Sequence, residues 1–311
     1  MQSFAAAGRV DVATGGAPVA QAGSGGRFAV RAEDVAVEYE RSRQKDTLVA
    51  LEQFTLDVRT GEFMMIVGAS GCGKSTFLNV VAGLVEPARG TVHVLDKEVQ
   101  GPGRDRAVVF QDYALMPWRT VEDNVKFGLE MQRRVDKGTA EKVDHYINLV
   151  GLAGFETSYP RELSGGMRQR VGLARALATE PDVLLMDEPF AAVDALTREV
   201  MQEELSRIIS QTRQTVIFIT HSVDEAITLG DRIAVVTQRP GRIKEIVPVN
   251  IPRPRNGRDI RHLDEYTDIR DHIWELLADE AALKAKAELR EASVQMTGAA
   301  DEDPRSRGFD I

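Results

Sequence analysis

From Arg27 onward the chain is built of short apolar runs separated by stretches of helical period. "FAVRAEDVAVEY" and "LVALEQFTLDV" alternate in part between apolar and polar positions, as half-buried strands do. "EFMMIV" is unbroken, which suits a strand covered on both faces. "AVVF", "DVLLMDEP", "TVIFIT" and "RIAVVT" are further short runs, β-branched and mostly continuous. Residues 121–131, 165–178 and 196–209 between them carry helical patterns. Short buried strands alternating with helices predict an α/β domain with a largely parallel sheet. Each motif below occurs once, so the chain has no visible internal repeat.

The two ends differ from this pattern. Residues 1–26 are small, Gly- and Ala-rich and aperiodic, and are expected to form a disordered leader. Residues 27–252 form the globular unit. "IPRPRNGRD" then reads as a linker, followed by Tyr266, Ile269, Ile273, Leu276 and Leu277 at helical spacing. Past Ser293 the chain is polar and expected to fray, so residues 253–311 are linker, helix and tail. About 60 residues are few for a separate regulatory domain. The helix is expected to pack back on its own domain through Tyr266, Ile269 and Ile273; a dimer or regulatory contact is the other reading.

Composition narrows the choices. At 311 residues and 43% hydrophobic, the chain can bury a large core. A net charge of -9 argues against a nucleic-acid surface, which normally needs a basic patch. The single cysteine, Cys72, excludes an intrachain disulfide and fits a reducing compartment. No basic start followed by an apolar core marks a signal peptide. No apolar run approaches the roughly 18 residues of a membrane span. Any membrane role must then come through a partner.

The chemistry begins at "GASGCGKST". It fits G-x-x-x-x-G-K-[ST] with Gly68, Gly73, Lys74 and Ser75, between a buried run and a helical one. Glycines let the loop curl until successive N–H groups converge, and the following helix adds its positive end, so the stretch is suited to phosphate. Lys74 can reach the β- and γ-phosphates and the Ser75 hydroxyl can ligate Mg²⁺. Ser70, Gly71, Cys72 and Thr76 complete the cradle. Cys72 is either a small side chain that fits or a thiol activated by the helix terminus. A nucleoside triphosphate, rather than a structural turn, is the reading this context favours.

Two more stretches follow. "VLLMDEP" delivers Asp187 at the end of a buried strand, where a parallel sheet places ligand chemistry, with Glu188 next to it. Asp187 suits Mg²⁺; Glu188 suits orienting and deprotonating the attacking water. In "LSGGMRQR", Ser164 suits a helix N-cap, and Gly165 and Gly166 expose backbone N–H groups in a second anion-binding terminus.

Together the three stretches resemble the ATP-binding cassette (ABC) ATPases, for which "LSGG" is diagnostic. The resemblance covers residues 28–249. It implies a P-loop, RecA-like core with an antiparallel β subdomain and a helical signature subdomain at about 112–165. It also implies further roles: Tyr39 stacking on adenine, Gln111 sensing the γ-phosphate and Mg²⁺, Asp194 in the loop crossing a dimer interface, and His221 contacting the γ-phosphate. Ala191 stands where that loop more usually has glycine or serine. One P-loop and one signature per chain imply a head-to-tail pair, either a homodimer or two paired ATPase subunits, with each ATP between Lys74 of one and Ser164 of the other.

"LMPWRTVEDNV", with "LSGGMRQRVGLARAL" and "LTRE", is similar to the nitrate, sulfonate and taurine importer branch. That similarity implies a motor on the cytoplasmic face of the inner membrane. It would drive a separate permease, with a periplasmic or extracellular solute-binding protein taking part indirectly. Pro117 and Trp118 form a rigid amphipathic surface suited to permease contact, unless Trp118 is buried in the helical subdomain. The alternatives are a non-transport ABC ATPase of translation or DNA repair and a small-molecule P-loop kinase. The first lacks tandem cassettes or a coiled-coil insertion here; the second leaves "LSGG" and His221 unexplained.

Overall fold

The computed structural model describes residues 27–41, 46–111, 113–191, 193–255 and 260–280. The expected leader, residues 256–259 of the expected linker and the expected tail lie outside these.

The unbroken apolar runs become the centre of a six-stranded sheet. β3 (Phe63–Val67) and β8 (Thr215–Thr220) are buried along their whole length. With β6 (Arg106–Val109), β7 (Val183–Asp187), β9 (Arg232–Val236) and β10 (Ile243–Pro248) they stand in the order β10-β9-β3-β8-β7-β6. All pairings are parallel except β10 on β9, a hairpin at the edge. Val67 pairs Thr220 and Asp187 pairs Ile219. The segments that follow β3, β7 and β8 therefore emerge side by side at one edge.

The half-alternating stretches form a second, antiparallel sheet in the order β2-β1-β4-β5. β1 (Phe28–Arg41) and β2 (Asp46–Arg59) pair along their length, while β4 (Arg89–Val94) and β5 (Lys97–Glu98) continue from β1. α1 (Lys74–Ala82) is sandwiched between the sheets, and Phe77 stacks on Phe54 of β2 at 4.3 Å between ring centres. This arrangement explains the patterns: β3 is covered on both sides, β1 and β2 on one.

On the other face lie α2 (Val121–Met131), α3 (Thr139–Leu149) and α4 (Gly165–Ala178), which pack on one another. α5 (Ala195–Thr212) and α6 (Val223–Leu229) complete the layer. A last helix, α7 (264–280), packs back on this core. Tyr266 is 1% exposed, Ile273 is buried, and Ile269, Leu276 and Leu277 lean on the same cluster. The Tyr266 hydroxyl donates to Asp224 at 2.6 Å and Lys244 Nζ to the Leu276 carbonyl at 2.8 Å.

The start of the expected linker is tightly held. The Arg255 guanidinium is buried and donates to the carbonyls of Ile227, Gly230, Val249 and Ile251. It thus closes the C-terminal end of α6, whose last carbonyls lack helical partners. Burial brings its pKa down to about 10. The Arg- and Pro-rich composition hid this packing role. Among the described residues no helix is long and apolar enough to cross a membrane.

Candidate functional site

The loop between β3 and α1 is shaped by close backbone approaches. Gly73 has φ +105, and a Cβ there would lie 2.6 Å from Leu51 Cδ2 and 2.7 Å from the Ala50 carbonyl. Only glycine meets both the left-handed backbone and the lack of space. Gly241, in the β9–β10 turn, bridges Leu51 and has room for no Cβ either, because the Cys72 carbonyl lies 2.2 Å from that position. From the same turn Arg239 donates to the Gly71 carbonyl at 2.7 Å (Nη2) and 3.1 Å (Nε). The phosphate loop is thus braced from both sheets, and Arg239 and Gly241 carry no signal in the sequence beyond a turn.

Lys74 is 4% exposed. Its Nζ donates to the carbonyls of Gly68 at 2.9 Å and Ala69 at 3.0 Å, so the cation lies inside the loop. Cys72 is buried beneath Gly68. Burial pushes its thiol up, opposed by the Lys74 charge, which is the opposite of activation. The small-residue reading accounts for its position.

Asp187 and Glu188 stand where β7 ends. Ser75 Oγ donates to Asp187 Oδ1 at 3.0 Å across 112 positions of sequence. Burial raises the Asp187 pKa above the ordinary carboxylate range; the neighbouring Glu188 adds to this, while the Ser75 bond and Lys74 oppose it. A hydroxyl and a carboxylate in hydrogen-bond contact are hard oxygen ligands of the kind Mg²⁺ takes alongside phosphate oxygens. The donor set fits that ion. Glu188 has φ 44, an uncommon backbone for its type, and His221 Nδ1 approaches its Oε2 at 3.4 Å. The structure therefore groups Lys74, Ser75, Asp187, Glu188 and His221.

The other expected site residues stand on further elements, Gln111 at the same edge of the sheet because Val109 of β6 pairs Met186 of β7. Tyr39 is partly exposed on β1, in the antiparallel sheet. Gln111 is exposed just after β6. Ser164 caps α4 by accepting from the Met167 N–H at 3.2 Å, and Gly165 and Gly166 open that helix. A Cβ on Gly166 would lie 3.2 Å from Thr197 Cγ2, so this terminus packs beside α5. Asp194 caps α5, accepting from Thr197 N–H at 3.0 Å, a bond that holds its carboxyl below the ordinary range. Among the described residues no hydrogen bond or ion pair joins Ser164–Gly166 to the phosphate loop.

The segment after Gln111 is rigidly built. Tyr113 and Ala114 have φ 56 and 44, and Arg175 of α4 donates to both carbonyls at 2.8 and 2.6 Å. Asn124, 0% exposed, accepts from Met116 N–H and donates to the carbonyls of Met116, Arg119 and Thr120 at 2.9 to 3.2 Å. Held on this frame, Trp118 is 74% exposed and Pro117 is also at the surface. Burial of Trp118 in the helical layer is ruled out.

The fold and this loop–strand constellation define a P-loop nucleotide-binding protein. The ABC transporter family pattern matches residues 51–191. An uncharacterized ABC transporter ATP-binding protein of Methanocaldococcus jannaschii is 51% identical over 237 residues, covering 76% of this chain and 87% of that one. The chain belongs to the ATP-binding subunits of ABC transporters, and it is an ATPase. Within the family it resembles the nitrate importer branch. The nitrate import ATP-binding protein NrtD of Synechocystis is 45% identical, with 75% of this chain and 90% of that one covered. The bicarbonate transport ATP-binding protein CmpC of Synechococcus elongatus is 44% identical, but this chain spans only 36% of it. Among solved structures, a dimeric post-hydrolysis ATP-binding cassette bound to ADP and Pi has a TM-score of 0.64 and 29% identity, covering 72% of this chain and all of that one.

Proposed function

We propose that the chain is the motor subunit of an importer, hydrolysing ATP to drive uptake of a small anionic solute of the nitrate, sulfonate or taurine class through a separate permease. The observation that carries the hydrolytic part is the grouping of Lys74, Ser75, Asp187, Glu188 and His221 at one sheet edge, with Ser75 bonded to Asp187. The kinship with NrtD supports the solute class.

In this reading the N–H groups of Gly68 to Thr76 cradle the phosphates, and Lys74 turns its ammonium from the loop carbonyls to the β- and γ-oxygens. Tyr39 stacks on the adenine. Ser75, Asp187 and Gln111 hold Mg²⁺, which when bound neutralises charge on the β- and γ-phosphates. Glu188 orients the attacking water and accepts its proton, and His221 contacts the γ-phosphate from the neighbouring strand end. Because Ser164, Gly165 and Gly166 make no hydrogen bond to the phosphate loop of their own chain among the described residues, they suit the ATP held by a second copy, with Asp194 at the crossing. The dimeric cassette among the similar structures supports that pairing. ATP then favours the closed pair and hydrolysis the open one, and the permease, docked near Pro117 and Trp118, follows. Such a motor works at the cytoplasmic face of the membrane, with a solute-binding protein acting on the far side.

Glu188→Gln tests this. The amide keeps size and hydrogen bonding but cannot take the water's proton. Turnover should fall by at least about 100-fold while ATP binding persists. The variant should run as a monomer without nucleotide and as a dimer with Mg²⁺ and ATP in size-exclusion chromatography. Near-normal phosphate release would remove Glu188 from its role, and migration unaffected by ATP would count against the paired site.

A further inference from the structure

Behind the candidate site lies a second carboxylate with no role in the reading above. Glu225 is in the first turn of α6, one helical turn beyond His221, and is 5% exposed. Its carboxylate is met from two directions. Gln202 Nε2 of α5 donates to its Oε1 at 2.8 Å. Burial raises the Glu225 pKa, opposed by the hydroxyl of Thr220, the residue before His221, which lines the same small cavity. That hydroxyl in turn accepts from the Ser222 N–H at 3.0 Å, and Ser222 Oγ accepts from the Glu225 N–H at 3.3 Å. The backbone on both sides of His221 is therefore gripped by groups that converge on Glu225.

α5 ties this grip to another segment of the site. Two of its turns carry Asp194 at the cap, Arg198 and Gln202. Arg198 donates to the Val193 carbonyl at 2.9 Å, next to the Asp194 cap, while Gln202 reaches Glu225. Glu188, Arg198, His221 and Glu225 line one small cavity. Glu225 is thus close to the reacting region but bonded away from it, into α5.

We propose that the Gln202–Glu225 hydrogen bond is a positioning link that fixes the His221 segment against α5. It makes His221 and the Asp194 turn move as one unit. Glu225 acts through Thr220 and His221 and touches no substrate. The proposal rests on the roles given above to Glu188 and His221. Its physical basis is that a buried carboxylate holds its place only while its partners are met, so the link is strong where His221 must be placed within a fraction of an ångström.

The test uses the purified full chain with Mg²⁺ and ATP, measuring kcat, KM and thermal midpoint. Glu225→Ala and Gln202→Ala should each lower kcat about tenfold with KM changed less than about twofold. The double variant should be no slower than the slower single one, as for residues of one interaction. The exchange Gln202→Glu with Glu225→Gln reverses donor and acceptor and should restore most of kcat. Failure of the exchange in a folded protein, additive losses, or losses in KM instead of kcat would each overturn the link. If Glu225→Ala does not fold, the half-buried Gln202→Ala and the exchange decide alone. Loss of turnover in Glu188→Gln together with unchanged kcat in the link variants sinks only the link. Full turnover in Glu188→Gln sinks the catalytic reading itself.

Discussion

Asp187 is held in an environment that works against its own charge. Because burial raises its pKa, the folded state keeps the proton to higher pH than the unfolded chain does. Stability from this group is therefore greatest below the unfolded carboxylate pKa and declines as pH rises through the folded value. At neutral pH the anion is a liability that a bound Mg²⁺ would offset. Asp187→Asn keeps an acceptor for Ser75 and removes the charge. Calorimetry without nucleotide should find the variant at least as stable as the native chain near pH 7, with the gap closing towards pH 4. The same variant should lose Mg²⁺-dependent hydrolysis. A lower melting point at pH 7 would mean that the carboxylate is stabilised, not strained, where it stands.

At the scale of an element, the turn between Gln111 and α2 shows how an exposed side chain is given a fixed direction. Trp118 has few neighbours of its own; Asn124 supplies the order, with four hydrogen bonds into the turn that carries it. The two residues should separate cleanly on mutation. Trp118→Ala should leave the melting point within about 1 °C and basal ATPase unchanged, yet weaken pull-down with the membrane subunit, as loss of an aromatic anchor does. Asn124→Ala leaves buried backbone groups unpaired and should destabilise by about 2–4 kcal/mol in denaturant titration. Docking that survives Trp118→Ala would place the permease contact elsewhere on the surface.

Across the whole molecule, α7 belongs to the cassette's core. Tyr266 fills space against α6 and bonds Asp224, three residues from the His221 that follows β8. Tyr266→Ala should lower stability by about 3–5 kcal/mol, the usual effect of deleting a buried aromatic side chain. Tyr266→Phe should lower it by only about 1 kcal/mol, since Asp224 is exposed and regains water. Equal effects would show that the hydroxyl, not the ring, holds the helix.

The sequence by itself determined the parts that depend on local order. The G-x-x-x-x-G-K-S spacing, the apolar run that ends in Asp187, and Ser164 ahead of two glycines are contiguous, because a loop, a strand end and a helix cap are each made by neighbours in the chain. The α/β class was legible for the same reason: periods of 2 and 3.6 are local. Only the tertiary structure brought Ser75 to Asp187 and His221 to Glu188, since parallel pairing of β3, β8 and β7 is a long-range event. It also decided that Trp118 is exposed, that Arg255 is buried and that Glu225 meets Gln202. An Arg after two prolines reads as solvated linker, and a Glu in a short helix as surface. Their burial depends on carbonyls and amides contributed by other elements, and no spacing along the chain records which groups those will be.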